Sequence, residues 1–253
     1  MGAADVNCLL GHWPFRKILK DSFEDLKKVH SDNNIISGYV SSLNSIFYND
    51  PYEGDRELHE IIKSTQYQHV LTVNPTLPCF SEDIENGVHE FDIKGVRIYP
   101  GYHQYKLDCD KIQQLCSVLE KFNLPLFLTL RMEDTRSNYL IQPQPLDMDE
   151  VRNFINSHAN MKILLLNIRF GEIMNIKDMI NSMPNVFIDT SGLKDLVFNM
   201  EKLLAEIDGY KIMYGSLHPL YCLKSTLLQI TKAKIDQNSI KNILSENFRF
   251  LNR

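Results

Sequence analysis

Eight short runs rich in β-branched and apolar residues recur along the chain, near 4–10, 35–42, 69–74, 93–99, 125–131, 162–167, 185–189 and 211–216. Each is followed by a segment with helical spacing or turn residues. Strand, helix and strand joined by right-handed crossovers build a parallel sheet, and eight such units in 253 residues are what a closed (β/α)8 TIM barrel uses. The intervening stretches 22–29, 58–62, 110–119, 148–155 and 173–180 repeat apolar residues three and four apart, one buried stripe per helix. An open doubly wound sheet is the competing α/β architecture, but no Gly-x-Gly-x-x-Gly follows any strand. No Pro/Gly/Ser-rich linker splits the chain, so it reads as one domain over 1–253. The one long irregular stretch, 132–147 with Pro143 and Pro145, is expected to form a lid or binding loop.

Composition narrows the function. Hydrophobic residues make up 43% and charged residues 23%, ordinary globular usage that indicates neither disorder nor a membrane protein. A formal net charge of −5 argues against nucleic acid as a partner, which calls for a basic face. The five cysteines, Cys8, Cys79, Cys109, Cys116 and Cys222, are scattered without C-x-x-C spacing, which predicts reduced thiols. No apolar run approaches the roughly 20 residues that cross a bilayer, and no apolar leader follows a basic start. Cytoplasmic residence is the expectation, with self-association into a homo-oligomer left open.

In the first strand, Ala4 to Gly11, alternate residues share a side, so Asn7 and Leu9 are expected to face the pocket. The strand continues as Gly11-His12-Trp13-Pro14-Phe15-Arg16. It resembles the opening of the amidohydrolase-related family of metal-dependent hydrolases, whose first strand reads Asp-x-His-x-His-x-Gly. Further segments are similar to later barrel units: Val73-Asn74-Pro75, Lys94 to Pro100 with Tyr102-His103-Gln104-Tyr105, Asn185 to Gly192, Lys211 to Ser216 with His218-Pro219, and Ile243 to Asn247. The resemblance implies a metal-dependent-hydrolase-like barrel. It places the family's metal ligands at Asn7, Leu9, Thr129, Asn167 and Leu217. Amides, a hydroxyl and alkyl groups lack the charge and basicity that hold a divalent ion, so no metal and no other cofactor is expected. Asn7 and Asn167 are expected to bond each other across the barrel.

Barrel enzymes build their sites from the C-terminal ends of the strands. Arg97, Arg131 and Arg169 lie at the ends of strands four to six, and strands stand about 4.8 Å apart. Such guanidiniums suit the carboxylate of a small organic acid; the competing reading pairs Arg131 with Glu133 or Asp134, and Arg169 with Glu172. His103 and His218 are the histidines nearest strand ends. Asp189 on the seventh strand can act as base or orienter, whereas Cys8 is expected to face the helices. The resemblance implies a metal-independent, lactonase-like hydrolase. In it Arg131 or Arg169 clamps the carboxylate, with Arg97, Asn7 and Asn167 lining the site. Tyr102 or His103 orients the substrate, and Asp189 or His218 activates water. The alternatives are a catalytically inactive barrel that binds a metabolite or protein partner, and a lyase or decarboxylase.

Overall fold

The computed structural model describes residues 2–134, 136, 143, 145–194 and 198–252. Among the described residues nine parallel strands follow one another around the barrel: β1 (Ala3–Leu10), β2 (Ile35–Ser42), β3 (Gln68–His69), β4 (Leu71–Thr72), β5 (Val96–Ile98), β6 (Leu126–Thr129), β7 (Ile163–Leu166), β8 (Val186–Asp189) and β9 (Ile212–Met213). β1 to β3 pair in order, as do β4 to β9. The Val70 N–H donates to the Val40 carbonyl at 2.9 Å where the third predicted strand divides into β3 and β4. The other seam closes where Val6 N–H donates to the Tyr214 carbonyl and Leu217 N–H to the Asn7 carbonyl. The predicted (β/α)8 barrel is therefore the fold.

The helices begin where the sequence supplies caps. Ser22 Oγ accepts the Asp25 N–H at 3.1 Å ahead of the helix Phe23–Asp32, and Asp50 caps Pro51–Ile62 with proline at its first turn. Asp147 caps Met148–Ser157. The predicted helix over 173–180 breaks at Ile176 into Phe170–Asn175 and Lys177–Ser182.

Three apolar layers position the site. The largest packs the outer faces of β4 to β9 against the helices. A second fills the barrel with Val6, Tyr39, Phe127, Leu164, Phe187 and Met213, and Leu251 of the C-terminal turn Asn247–Asn252 joins it. The third lies at the C-terminal ends of the strands, where Leu9, Trp13, Tyr99, Met132, Leu217 and Leu220 meet. Residues 135, 137–142 and 144 of the expected lid lie outside the described residues. Among the described residues no helix is long and apolar enough to cross a membrane.

Candidate functional site

Asp189, the last residue of β8, is fully buried and organises the barrel mouth. Its Oδ2 accepts from Asn7 Nδ2 at 2.7 Å, and its Oδ1 accepts from the Asn167 backbone N–H at 2.7 Å. Asn7 Nδ2 also lies 3.2 Å from Ser191 Oγ. Asn7 and Asn167 thus do not bond each other as the sequence suggested, because both are drawn to the one buried carboxylate between them. Asn167 is left-handed at φ 56°, which asparagine tolerates, and its Nδ2 donates to the Arg131 carbonyl at 2.9 Å. Burial pushes the Asp189 pKa up, against the opposing effects of Ser191, Asn7, Asn167 and Arg97. A carboxyl group in this setting can hold a proton.

Arg97 occupies the same layer and is 1% exposed. Its Nε donates to Thr129 Oγ1 at 2.8 Å, its Nη2 lies 3.9 Å from Met132 Sδ, and the guanidinium sits 5.1 Å from the Tyr99 ring centroid. Among the described residues no carboxylate comes within ion-pair distance of it. Burial pulls its pKa down, and Tyr99 and Asp189 oppose that. A buried guanidinium short of a counter-charge is costly unless a ligand supplies one.

Arg131 is differently placed. Its Nη1 donates to Glu172 Oε2 at 2.8 Å and to the Asn167 carbonyl at 2.7 Å, while Nη2 closes a second bond to Glu172 Oε1. The competing reading, in which Arg131 pairs with a nearby acid, fits in kind but with a different partner, Glu172 in place of Glu133 or Asp134. Glu172 pairs with the Arg131 side chain and also accepts the backbone N–H of Arg169 at 2.9 Å. Glu133 is 4% exposed and accepts from Trp13 Nε1 and Arg16 Nε, each at 2.7 Å. The loop of residues after β1 reaches over the mouth and takes that carboxylate first.

The two histidines leave the centre. His103 Nε2 lies 2.9 Å from the Ile46 carbonyl. The charged neighbours of His218 are Asp5, His30, Lys20 and Asp25, and burial lowers its pKa to about 4; it lines a groove outside the barrel with Arg16, Val29 and Asp32. Tyr102 stacks edge-on against Trp13 and Phe47 at the rim.

Sequence reasoning missed Lys194, two residues past Gly192. Its ammonium sits over the Tyr221 ring, and burial lowers its pKa to about 7, with Asp134 opposing. The rule that loops after barrel strands carry the site is the signal that finds it. At pH 7 about half of such amines are neutral, against roughly one in 2,500 for an ordinary lysine. Reductive methylation or acylation at pH 7 followed by peptide mapping should modify Lys194 at least about 10-fold faster than the exposed lysines; an equal rate contradicts this environment.

The positions matched to the family's ligands do come together: Asn7 bonds Asp189, Thr129 bonds Arg97, Asn167 bonds Asp189, and Leu9 and Leu217 share the apolar layer above them. Their chemistry does not fit a divalent ion, since the Asn7 amide is spent as a donor and two positions carry only alkyl groups. A group that has metal-ligand chemistry, Asp5, Cys8 and His30, assembles elsewhere in the fold. The sequence offered no ligand spacing for it.

No family model matches the sequence, and no curated protein matches it. Solved structures do. The chain is similar to 2,6-dihydroxybenzoate decarboxylase from Rhizobium, at 14% identity and a TM-score of 0.74, with 99% of this chain and 98% of that one covered. It is similar to a dihydroxybenzoic acid decarboxylase from Polaromonas sp. with bound manganese and the inhibitor 2-nitroresorcinol (14% identity, TM-score 0.74, coverage 100% and 98%). A 5-carboxyvanillate decarboxylase from Sphingomonas paucimobilis matches at 14% identity and TM-score 0.67, over 90% of this chain and 82% of that one. At these identities the likeness shows the fold alone, a (β/α)8 barrel.

Proposed function

We propose that the chain takes a small aromatic carboxylic acid at the C-terminal end of its barrel and acts on it as a lyase, releasing the carboxyl group as carbon dioxide. The observation that carries this is Arg97, a buried cation without a carboxylate partner among the described residues. A bound carboxylate supplies the missing charge. The apolar layer of Leu9, Trp13, Tyr99, Met132 and Leu217 offers the ring a dry surface and keeps water from the carboxylate.

In this reading Arg97 takes the place first given to Arg131, which Glu172 occupies. As the bond between ring carbon and carboxyl breaks, its electron pair stays on the ring carbon. The proton held by Asp189 forms the new C–H bond, and the Asp189 carboxylate regains a proton from solvent. Burial favours the protonated form this requires. The fold is shared with proteins that decarboxylate aromatic acids, which supports this reaction over lactone hydrolysis.

Incubation with carboxyl-labelled 2,6-dihydroxybenzoate should release labelled carbon dioxide and resorcinol in equal amounts, and Asp189→Asn should slow this by about 100-fold. Binding without any release of carbon dioxide contradicts the lyase reading. It would support a non-catalytic acid-binding barrel, which the full burial of Leu9 and Leu217 across the mouth favours.

A further inference from the structure

Asp5, Cys8 and His30 meet on the helix side of the barrel wall. Their donor atoms lie within 4.8 Å of one another, and all three residues are buried. In a regular strand, residues three apart point to opposite faces. The register of β1 shifts between Asp5 and Cys8, so both side chains turn toward the helix Phe23–Asp32, which carries His30. Gly38 of β2 leaves them room: a Cβ there would stand 2.8 Å from Cys8 Sγ and 3.3 Å from His30 Cε1.

His30 Nε2 is buried without a hydrogen-bond partner and lies 3.5 Å from Asp5 Oδ2. The other ring nitrogen, Nδ1, lies 3.0 Å from the Tyr67 hydroxyl, and the two rings stack. Asp5 is held from behind, since Oδ1 accepts the Asn7 and Ser216 backbone N–H groups at 3.0 Å each and Oδ2 accepts the Ser216 hydroxyl at 2.5 Å. Cys8 Sγ donates to the Tyr39 carbonyl at 3.2 Å.

We infer that this cluster is a zinc site, with Asp5 Oδ2, Cys8 Sγ as thiolate and His30 Nε2 as ligands. Mixed nitrogen, sulfur and carboxylate donors suit zinc and not calcium or magnesium. Bonds of 2.0 to 2.3 Å in a tetrahedron separate ligand atoms by about 3.3–3.8 Å, and the Asp5 to His30 distance of 3.5 Å falls in that range. Tyr67 and Ser216 supply the outer hydrogen bonds that fix ligand orientation. Binding displaces the Cys8 proton and ties β1 to the helix that covers it. The backbone of His218, whose Nε2 is also buried without a partner, pairs with that of Cys8, and His218 lines a groove of about 650 Å³ beside Val29 and Asp32.

Cobalt(II) is the probe, because a thiolate ligand to cobalt gives an intense near-ultraviolet band. The tag-free apoprotein should bind one equivalent per chain with that band, and zinc should displace it. Cys8→Ser and His30→Gln should abolish the band, while Cys116→Ser and Cys222→Ser should retain it. Tyr67→Phe, a positioning residue outside the ligand set, should keep the band and weaken affinity about 10-fold, which keeps the test decisive if Cys8→Ser does not fold. A folded wild-type protein that shows no thiolate band overturns the site, as does a band that survives Cys8→Ser or an unchanged affinity in Tyr67→Phe.

Discussion

Replacing Arg97 with methionine should weaken acid binding about 10- to 150-fold while leaving the fold standing. The guanidinium is buried, bonded to Thr129 and lodged between Met132 and Tyr99. Methionine fills a similar volume with no charge to desolvate. A buried charge replaced by an apolar side chain of like size is often neutral to stability or raises it by about 1–4 kcal/mol. The ligand carboxylate, in contrast, loses a charge-assisted bond of roughly 1.5–3 kcal/mol, or about 10- to 150-fold in affinity. Denaturant melts and titrations of the same variant separate the two effects. A variant that unfolds at much lower denaturant while binding the acid as tightly as wild type would show that Arg97 serves the core and not a ligand.

Gly215→Ala should be among the most damaging single-methyl additions in the protein. A Cβ at that position would stand 2.3 Å from Asp189 Oδ2 and 3.0 Å from the Cβ atoms of Asn7 and Asp189. The carboxylate cannot yield without breaking its bonds to Asn7 and the Asn167 N–H. Overpacking plus a disrupted buried acceptor costs about 2–4 kcal/mol, which lowers the melting temperature of a chain this size by roughly 5–12 °C. Gly171→Ala is the control, because nothing lies within 4 Å of its added methyl. Equal denaturation midpoints for the two variants would contradict the packing described around Asp189.

How far the sequence carried differs between scaffold and site. Strand periodicity and alternation with amphipathic helices are repeated eight times, so the barrel is over-determined and was readable. The side-chain period of two put Asn7 and Leu9 on one side of β1, and the family resemblance implied that Thr129, Asn167 and Leu217 join them. What spacing did not specify was which acid each arginine meets. Glu172 reaches Arg131 across a loop, and Glu133 is captured by Trp13 and Arg16, contacts set by loop geometry that no spacing rule encodes. The shift in β1 register that brings Asp5 and Cys8 to the same side leaves no trace in the composition of the strand. Nothing in the spacing marks Lys194; it is the fold that lays it over Tyr221. Arg97 was legible as a strand-end arginine; that it lacks a carboxylate partner among the described residues required the structure.

The central claim, that the mouth recognises a carboxylate through Arg97, is tested most directly by calorimetric titration of the wild-type protein with 2,6-dihydroxybenzoate and, separately, with resorcinol. The two probes share the ring and hydroxyls and differ only in the carboxyl group. The account expects the acid to bind at least about 10-fold more tightly, the discrimination of one charge-assisted bond. Equal affinity for the two, or no binding of the acid, contradicts it.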